Sequence, residues 1–213
     1  MTRMRKKLVI KGLYAITPDE PNTEELLRKV RLVLQGGASV LQYRNKVANP
    51  ELKKHQAHVL RQLAKDFDCT YLVNDDVQLA AQVDADGVHL GGDDESVAAA
   101  RALLGKSKII GMSCYNRLTL AHQAAKQGVD YIAFGAFFPS GVKPDAVRAE
   151  VKMLQMARNE LNLPIVAIGG ITQQNGAELI GAGADALAVI SALWNASNIR
   201  ASAQEFSILF SRA

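Results

Sequence analysis

No apolar stretch in this chain approaches the roughly 18 residues that a membrane-spanning helix requires. Leu8-Val9-Ile10 is cut short by Lys11, too soon for the apolar centre of a signal peptide. A cytoplasmic location with no membrane partner is therefore expected. Cysteine is scarce: Cys69 and Cys114 are the only two in 213 residues. They lie far apart without metal-ligand spacing, which excludes a disulfide framework and a zinc site and predicts two thiols. A dominant charge is also missing, since 25 Lys and Arg face 21 Asp and Glu for a net +4. Part of that excess sits in a basic arm over residues 1–11, which has no interleaved aromatics and no binding motif. Nucleic acid is not an expected partner. Ser113 has no evident His and Asp partners, which argues against a catalytic triad. No lysine falls inside a predicted strand, which argues against a Schiff-base aldolase.

What the chain does have is eight short apolar runs, each ending in polar residues or glycine. The runs predict strands at 12–17, 39–44, 71–74, 87–90, 109–113, 131–135, 165–168 and 186–190. Helices are predicted between and after them: 23–35, 50–65, 77–82, 96–104, 118–127, 147–160, 175–182 and 199–210. Glu24 and Glu25 open the first helix and Gly36-Gly37 closes it, the usual polarity of helix ends. Strands covered by helices on one side and packed on the other read as continuous apolar runs, as these do. Eight strand–helix units predict an α/β fold, a single (β/α)8 TIM barrel over residues 1–213. An open doubly wound sheet is the competing pattern.

In such a barrel the loops after the strands build the active site. Gln42, Arg44 and Lys46 alternate at the end of strand 2, which points all three the same way. Asn74-Asp75 ends strand 3 and Asp94 follows strand 4; adjacent strand ends can bring Asp75 and Asp94 together. Two carboxylates completed by phosphate oxygens and water suit Mg²⁺. Asp94 also suits a helix cap before Ser96. His89 reads as a packed, hydrogen-bonded strand residue rather than a ligand. Ser113, after strand 5, suits a hydrogen bond to phosphate. Ser140 and Lys143 lie in the longest loop, where they can reach over the mouth. Gly169-Gly170 after strand 7 and Ile190-Ser191 after strand 8 occupy the positions where barrels bind phosphate through backbone N–H groups, with glycine allowing close approach.

The ordered set Leu13-Tyr14-Ala15-Ile16-Thr17, Gln42-Tyr43-Arg44-Asn45-Lys46, Val73-Asn74-Asp75-Asp76, Gly87-Val88-His89-Leu90-Gly91, Gly111-Met112-Ser113, Phe138-Pro139-Ser140, Ile168-Gly169-Gly170-Ile171 and Ala188-Val189-Ile190-Ser191 resembles thiamine-phosphate synthase. The likeness runs from about residue 12 to 193. It implies a transferase joining 4-amino-2-methyl-5-(hydroxymethyl)pyrimidine diphosphate to 4-methyl-5-(2-phosphooxyethyl)thiazole, with release of thiamine phosphate and pyrophosphate. It further implies that Arg44, Lys46, Asn74, Ser113 and Lys143 hold the diphosphate. Of these, Arg44, Lys46, Ser113 and Lys143 would be catalytic. Asp75 and Asp94 would hold one Mg²⁺ per site. Gln42 and Tyr131 would contact the pyrimidine, and Ser140, Gly170, Ile190 and Ser191 the thiazole phosphate.

Two departures stand out. Val142 occupies a position where the family often has a second threonine, and Gly92-Asp93 replaces a usual Gln-Glu pair before Asp94. Competing readings are the related thiazole tautomerase, a generic sugar-phosphate barrel and a non-catalytic phosphate-binding barrel. The tautomerase branch uses a histidine after strand 5, where this chain has Cys114-Tyr115-Asn116. The sequence leaves a homo-oligomer open.

Overall fold

The computed structural model describes residues 9–92, 94–139 and 147–211. Its strands are β1 (Gly12–Ile16), β2 (Val40–Tyr43), β3 (Thr70–Asn74), β4 (Gly87–Leu90), β5 (Ile109–Tyr115), β6 (Tyr131–Phe134), β7 (Ile165–Ile168) and β8 (Ala186–Val189). The helices are α1 (Thr23–Gln35), α2 (Pro50–Asp66), α3 (Val77–Gln82), α4 (Val97–Leu104), α5 (Leu118–Gln127), α6 (Val151–Glu160), α7 (Gly176–Gly181), α8 (Ser191–Trp194) and α9 (Ile199–Leu209). Every strand pairs in parallel with its sequence neighbours, and β1 pairs with β8, closing the barrel. The eight-stranded expectation holds and the open sheet is excluded. No described helix is long and apolar enough to cross a membrane.

Side-chain alternation divides each strand between two cores. Tyr14, Val40, Leu72, Ile109, Tyr131, Val166 and Ala186 fill the barrel interior. Leu13, Leu41, Val73, Val88, Ile110, Ile132 and Leu187 face the helices. Burial on both faces explains why the strands carry no polar alternation in the sequence. Ile10 joins the interior set and closes the end away from the predicted site. The interior is crowded: a Cβ on Gly111 would sit 1.9 Å from the Tyr131 ring.

Five of the described helix starts are set by short polar side chains. Asn22, Asn49, Asp76, Ser96 and Asn198 each accept a backbone N–H from the first turn of α1, α2, α3, α4 and α9, satisfying groups the helix leaves unbonded. At the closed end a second device repeats. Asp86, Asp130 and Asp185 each precede an even-numbered strand. Each accepts a strand N–H, from Tyr71, Ile110 and Ile165, and an arginine from α2, α4 or α6: Arg61, Arg101 and Arg158. Cys69 and Cys114 are both buried thiols without a disulfide.

Three element boundaries depart from expectation. Residues 147–150 are extended rather than helical, because Ala136 N–H donates to Val147 O and Ala149 N–H to Ala136 O. β5 continues to Tyr115 through an irregularity in its pairing with β6. The short α8 was not anticipated; its four residues are too few for a periodic signal. The Trp194 indole fixes it by donating to Ile16 O at 2.6 Å.

Candidate active site

A cavity of about 700 Å³ opens at the C-terminal ends of the strands. Tyr14, Gln42, Arg44, Asn74, His89 and Ser113 line one side, and Gly169, Gly170, Ile190 and Ser191 the other. Seven of the predicted positions, Gln42, Arg44, Asn74, Ser113, Gly170, Ile190 and Ser191, therefore share the cavity although they come from five different strands or strand ends, whereas Lys46, Asp75, Asp94 and Tyr131 do not line it.

Beneath the mouth runs a continuous polar chain. Tyr14 Oη donates to Gln42 Oε1 at 2.5 Å, and Gln42 Nε2 donates to Asn74 Oδ1 at 2.5 Å. Tyr14 Oη lies 2.8 Å from Tyr131 Oη. Tyr131 Oη lies 2.7 Å from His89 Nδ1, and His89 Nε2 lies 2.9 Å from Ser113 Oγ. Burial lowers the His89 pKa to about 4, with the Asp75 charge opposing, so the imidazole is neutral near pH 7. Burial also pushes the Tyr14 and Tyr131 hydroxyls well above their ordinary value. His89 is packed and hydrogen-bonded as expected, yet it also lines the cavity. Its place between two strand-end residues in the sequence was the available signal. Tyr131 does not line the cavity; it is wholly buried, with its hydroxyl under Tyr14 and His89.

On the rim, Lys46 Nζ donates to Asp75 Oδ2 at 2.5 Å, and Arg44 Nη1 donates to both Asp19 oxygens at 3.2 Å. The strand ends at Tyr43, so Lys46 reaches the rim from the following loop rather than from a strand row. Thr17 and Asp19, both unassigned in the sequence, hold this loop. Thr17 Oγ1 donates to Arg44 O at 2.7 Å and accepts from Arg44 N at 2.8 Å. Asp19 also accepts Lys46 N at 2.6 Å.

Asp75 and Asp94 interact across the ends of β3 and β4. Burial works to raise the Asp75 carboxyl, but Lys46 leads the contacts that together hold it below its ordinary value. Asp94 is raised, first by burial and then by Asp75, while Gly91 N–H donates to its Oδ2 at 2.5 Å. Asp75 takes a left-handed backbone (φ 63), a conformation that Asp tolerates better than most residues. Two facing carboxylates without a third His, Cys, Asp or Glu among the described residues fit a cation that keeps water and phosphate ligands, as Mg²⁺ does.

Opposite, the Gly169-Gly170 turn has φ 103 and 62. A Cβ on Gly169 would meet Ala136 Cβ at 2.4 Å, and one on Gly170 would meet Pro139 O at 2.3 Å. Glycine is thus required for packing against the segment after β6, a reason independent of any ligand. Beside it, Ser191 and Ala192 begin α8, where backbone N–H groups lack partners within the helix. Ser140, Lys143, Val142 and Asp93 lie outside the described residues.

The comparisons with known proteins agree along the whole barrel. A family model described as thiamine monophosphate synthase matches residues 13–193. The thiamine-phosphate synthase of Methylobacillus flagellatus is 59% identical over 201 residues, covering 94% of this chain and 96% of its own. That of Nitrosomonas eutropha is 50% identical, covering 96% of each. The solved thiamine phosphate pyrophosphorylase from Pyrococcus furiosus superposes with a TM-score of 0.85 at 35% identity, covering 94% of this chain and 96% of that one. This chain belongs to the thiamine-phosphate synthase family and carries that family's transferase activity in thiamine biosynthesis.

Proposed function

We propose that the cavity binds 4-amino-2-methyl-5-(hydroxymethyl)pyrimidine diphosphate and 4-methyl-5-(2-phosphooxyethyl)thiazole side by side. What carries the reading is that two corners suited to anions open on one cavity: Arg44 on one side, Gly170 and Ser191 on the other. Arg44, Lys46, Asn74, Ser113 and Lys143 hold the diphosphate. Gln42 contacts the pyrimidine, with Tyr131 supporting it through Tyr14. Ser140, Gly170, Ile190 and Ser191 hold the thiazole phosphate. Asp75 and Asp94 hold Mg²⁺, which would supply positive charge against the diphosphate. The reaction takes place in the cytoplasm.

Arg44 and Lys46 stabilise negative charge as the diphosphate leaves, an effect strengthened where water is excluded. The aminopyrimidine supports the electron-poor carbon that remains. Gly170 and Ser191 hold the thiazole by its phosphate so that its nitrogen lies within reach of that carbon. No protein nucleophile or strong base is called for. Against expectation Ser113 does have a histidine partner, His89 Nε2 at 2.9 Å, but the other ring nitrogen meets Tyr131 Oη rather than a carboxylate, so no Ser–His–Asp triad forms among the described residues. The tautomerase alternative has no support here: the residue after Ser113 is the buried Cys114.

The test combines purified protein, both substrates and Mg²⁺, and follows thiamine phosphate and pyrophosphate. EDTA should abolish product, and Arg44→Ala and Asp75→Ala should each lower kcat/KM by about 100-fold or more, the scale of losing one charge-stabilising group. Full turnover in EDTA, or near-wild-type rates in both variants, would refute the site assignment.

A further inference from the structure

The interior chain from Ser113 to Asn74 has five links: Ser113–His89, His89–Tyr131, Tyr131–Tyr14, Tyr14–Gln42 and Gln42–Asn74. Each hydroxyl and the neutral imidazole has one proton to place, so fixing one link fixes its neighbours. Tyr14 donates to Gln42 Oε1, so it must accept from Tyr131. Tyr131 has then used its proton and must accept from His89 Nδ1–H. Both side-chain partners of the imidazole are neutral hydroxyls, so a neutral ring that carries its proton on Nδ1 leaves a lone pair on Nε2. Ser113 therefore donates inward, to His89, and offers only lone pairs to the cavity.

That polarity conflicts with an anion at Ser113, because a phosphate oxygen accepts and cannot donate. We propose that His89 is a positioning residue whose tautomer decides whether Ser113 presents a proton or a lone pair to the cavity. An anionic oxygen arriving at Ser113 reverses the whole chain. The inference rests on the reading that Ser113 meets a diphosphate oxygen.

In the reversed chain His89 Nε2–H donates to Ser113, Tyr131 donates to Nδ1, and Tyr14 donates to Tyr131. Gln42 Nε2 donates to Tyr14, and Asn74 Nδ2 donates to Gln42 Oε1. No proton is gained or lost. The hydroxyls rotate, two amides turn over, and the imidazole exchanges its Nδ1 proton for one at Nε2. Apart from the amide N and O atoms of Gln42 and Asn74, which exchange places, heavy atoms stay where they are. The diphosphate end of the site and the ring-recognising Gln42 thus become one unit, because each polarity presents a different edge of the Gln42 amide. Ser113 simply letting go of His89 would instead leave the Nε2 lone pair without its side-chain donor, a loss that turning the chain over avoids.

The test is ¹⁵N NMR of histidine-labelled full-length protein, with His89→Gln used to assign the signal. In ligand-free protein His89 should be the Nδ1–H tautomer, and with saturating Mg²⁺ and inorganic pyrophosphate it should become Nε2–H. Tyr14→Phe gives a second, ligand-free readout. With Tyr14 gone, Tyr131 has only His89 Nδ1 to receive its buried proton, so the variant should already show Nε2–H. An Nε2–H signal in ligand-free wild type, Nδ1–H retained in Tyr14→Phe, or no change with pyrophosphate bound would each overturn the proposal. Turnover measured on the same samples separates the two ideas. A protein that makes thiamine phosphate while His89 keeps Nδ1–H refutes this inference alone. The predicted free-state tautomers in a protein that makes no product refute the substrate reading and leave the His89 assignment standing.

Discussion

Replacing Gly111 with alanine adds one methyl group and should be among the more damaging small changes available to this barrel. The new Cβ would lie 1.9 Å from Tyr131 Cζ, 2.1 Å from Cε1 and 2.4 Å from the hydroxyl. Carbon atoms need about 3.5 Å, so the Tyr131 ring would have to retreat by roughly 1.6 Å inside a packed core. Overpacking of this kind costs about 1–3 kcal/mol. A shift that large also breaks the hydrogen bonds of Tyr131 to Tyr14 and His89, at about 1 kcal/mol each. The total is about 3–5 kcal/mol, a large part of the 5–15 kcal/mol that holds a typical protein folded, and lowers Tm by roughly 10 °C. Urea unfolding followed by circular dichroism measures it, with Gly181→Ala as the comparison. Gly181 lies in α7 with nothing within 4 Å of its added Cβ, so alanine there should be neutral or stabilise by up to about 1 kcal/mol. If Gly111→Ala stays within about 1 kcal/mol of the parent at unchanged m, the crowding argument for the barrel interior fails.

Two further predictions concern charge. Burial lowers His89 to about 4 from an ordinary 6.5, so between those values the unfolded chain binds a proton that the folded one does not. Stability therefore rises with pH through that window; at pH 5 this group alone should cost about 2 kcal/mol relative to pH 7.5. His89→Gln should remove that share, and equal pH dependence in parent and variant would refute the assignment. At the closed end, Asp86 and Arg61 have side chains only 14% and 9% exposed, against 35% and 38% for Asp185 and Arg158. Asp86→Ala should cost about 3–5 kcal/mol, because it strands a buried guanidinium. Asp185→Ala should cost about 1–2 kcal/mol, because water screens that pair and mainly the bond to Ile165 N–H is lost. Similar losses in urea unfolding would contradict this ranking.

The fold was legible in the sequence because each strand is a short apolar run and each helix carries its own punctuation. Glu24 and Glu25 in the first turn of α1 and Gly36-Gly37 at its end act within a few residues, so a local reading found them. Where an element's state depends on distant partners, that reading failed. Residues 147–150 are held extended by Ala136, and α8 exists because Trp194 docks on Ile16. The site was legible in part for the same reason. Strand ends mark the mouth of a barrel, so Gln42, Arg44, Asn74, Asp75, Ser113 and Gly170 could be singled out. Asp19 and Thr17 could not, because their work is to hold a loop 25 to 27 residues away.

The sequence by itself determined the eight-fold alternation, several of the positions at the mouth and the family. All of these follow from local patterning and from motifs kept in order. Only the tertiary structure decided that Tyr14, Tyr131 and His89 form one hydrogen-bonded chain between Gln42 and Ser113, and that Gly111 and Gly170 are glycine for lack of room. Closing a barrel sets side chains from opposite strands against each other across its interior. Which atoms then meet depends on register and close packing, and neither is written in any one segment.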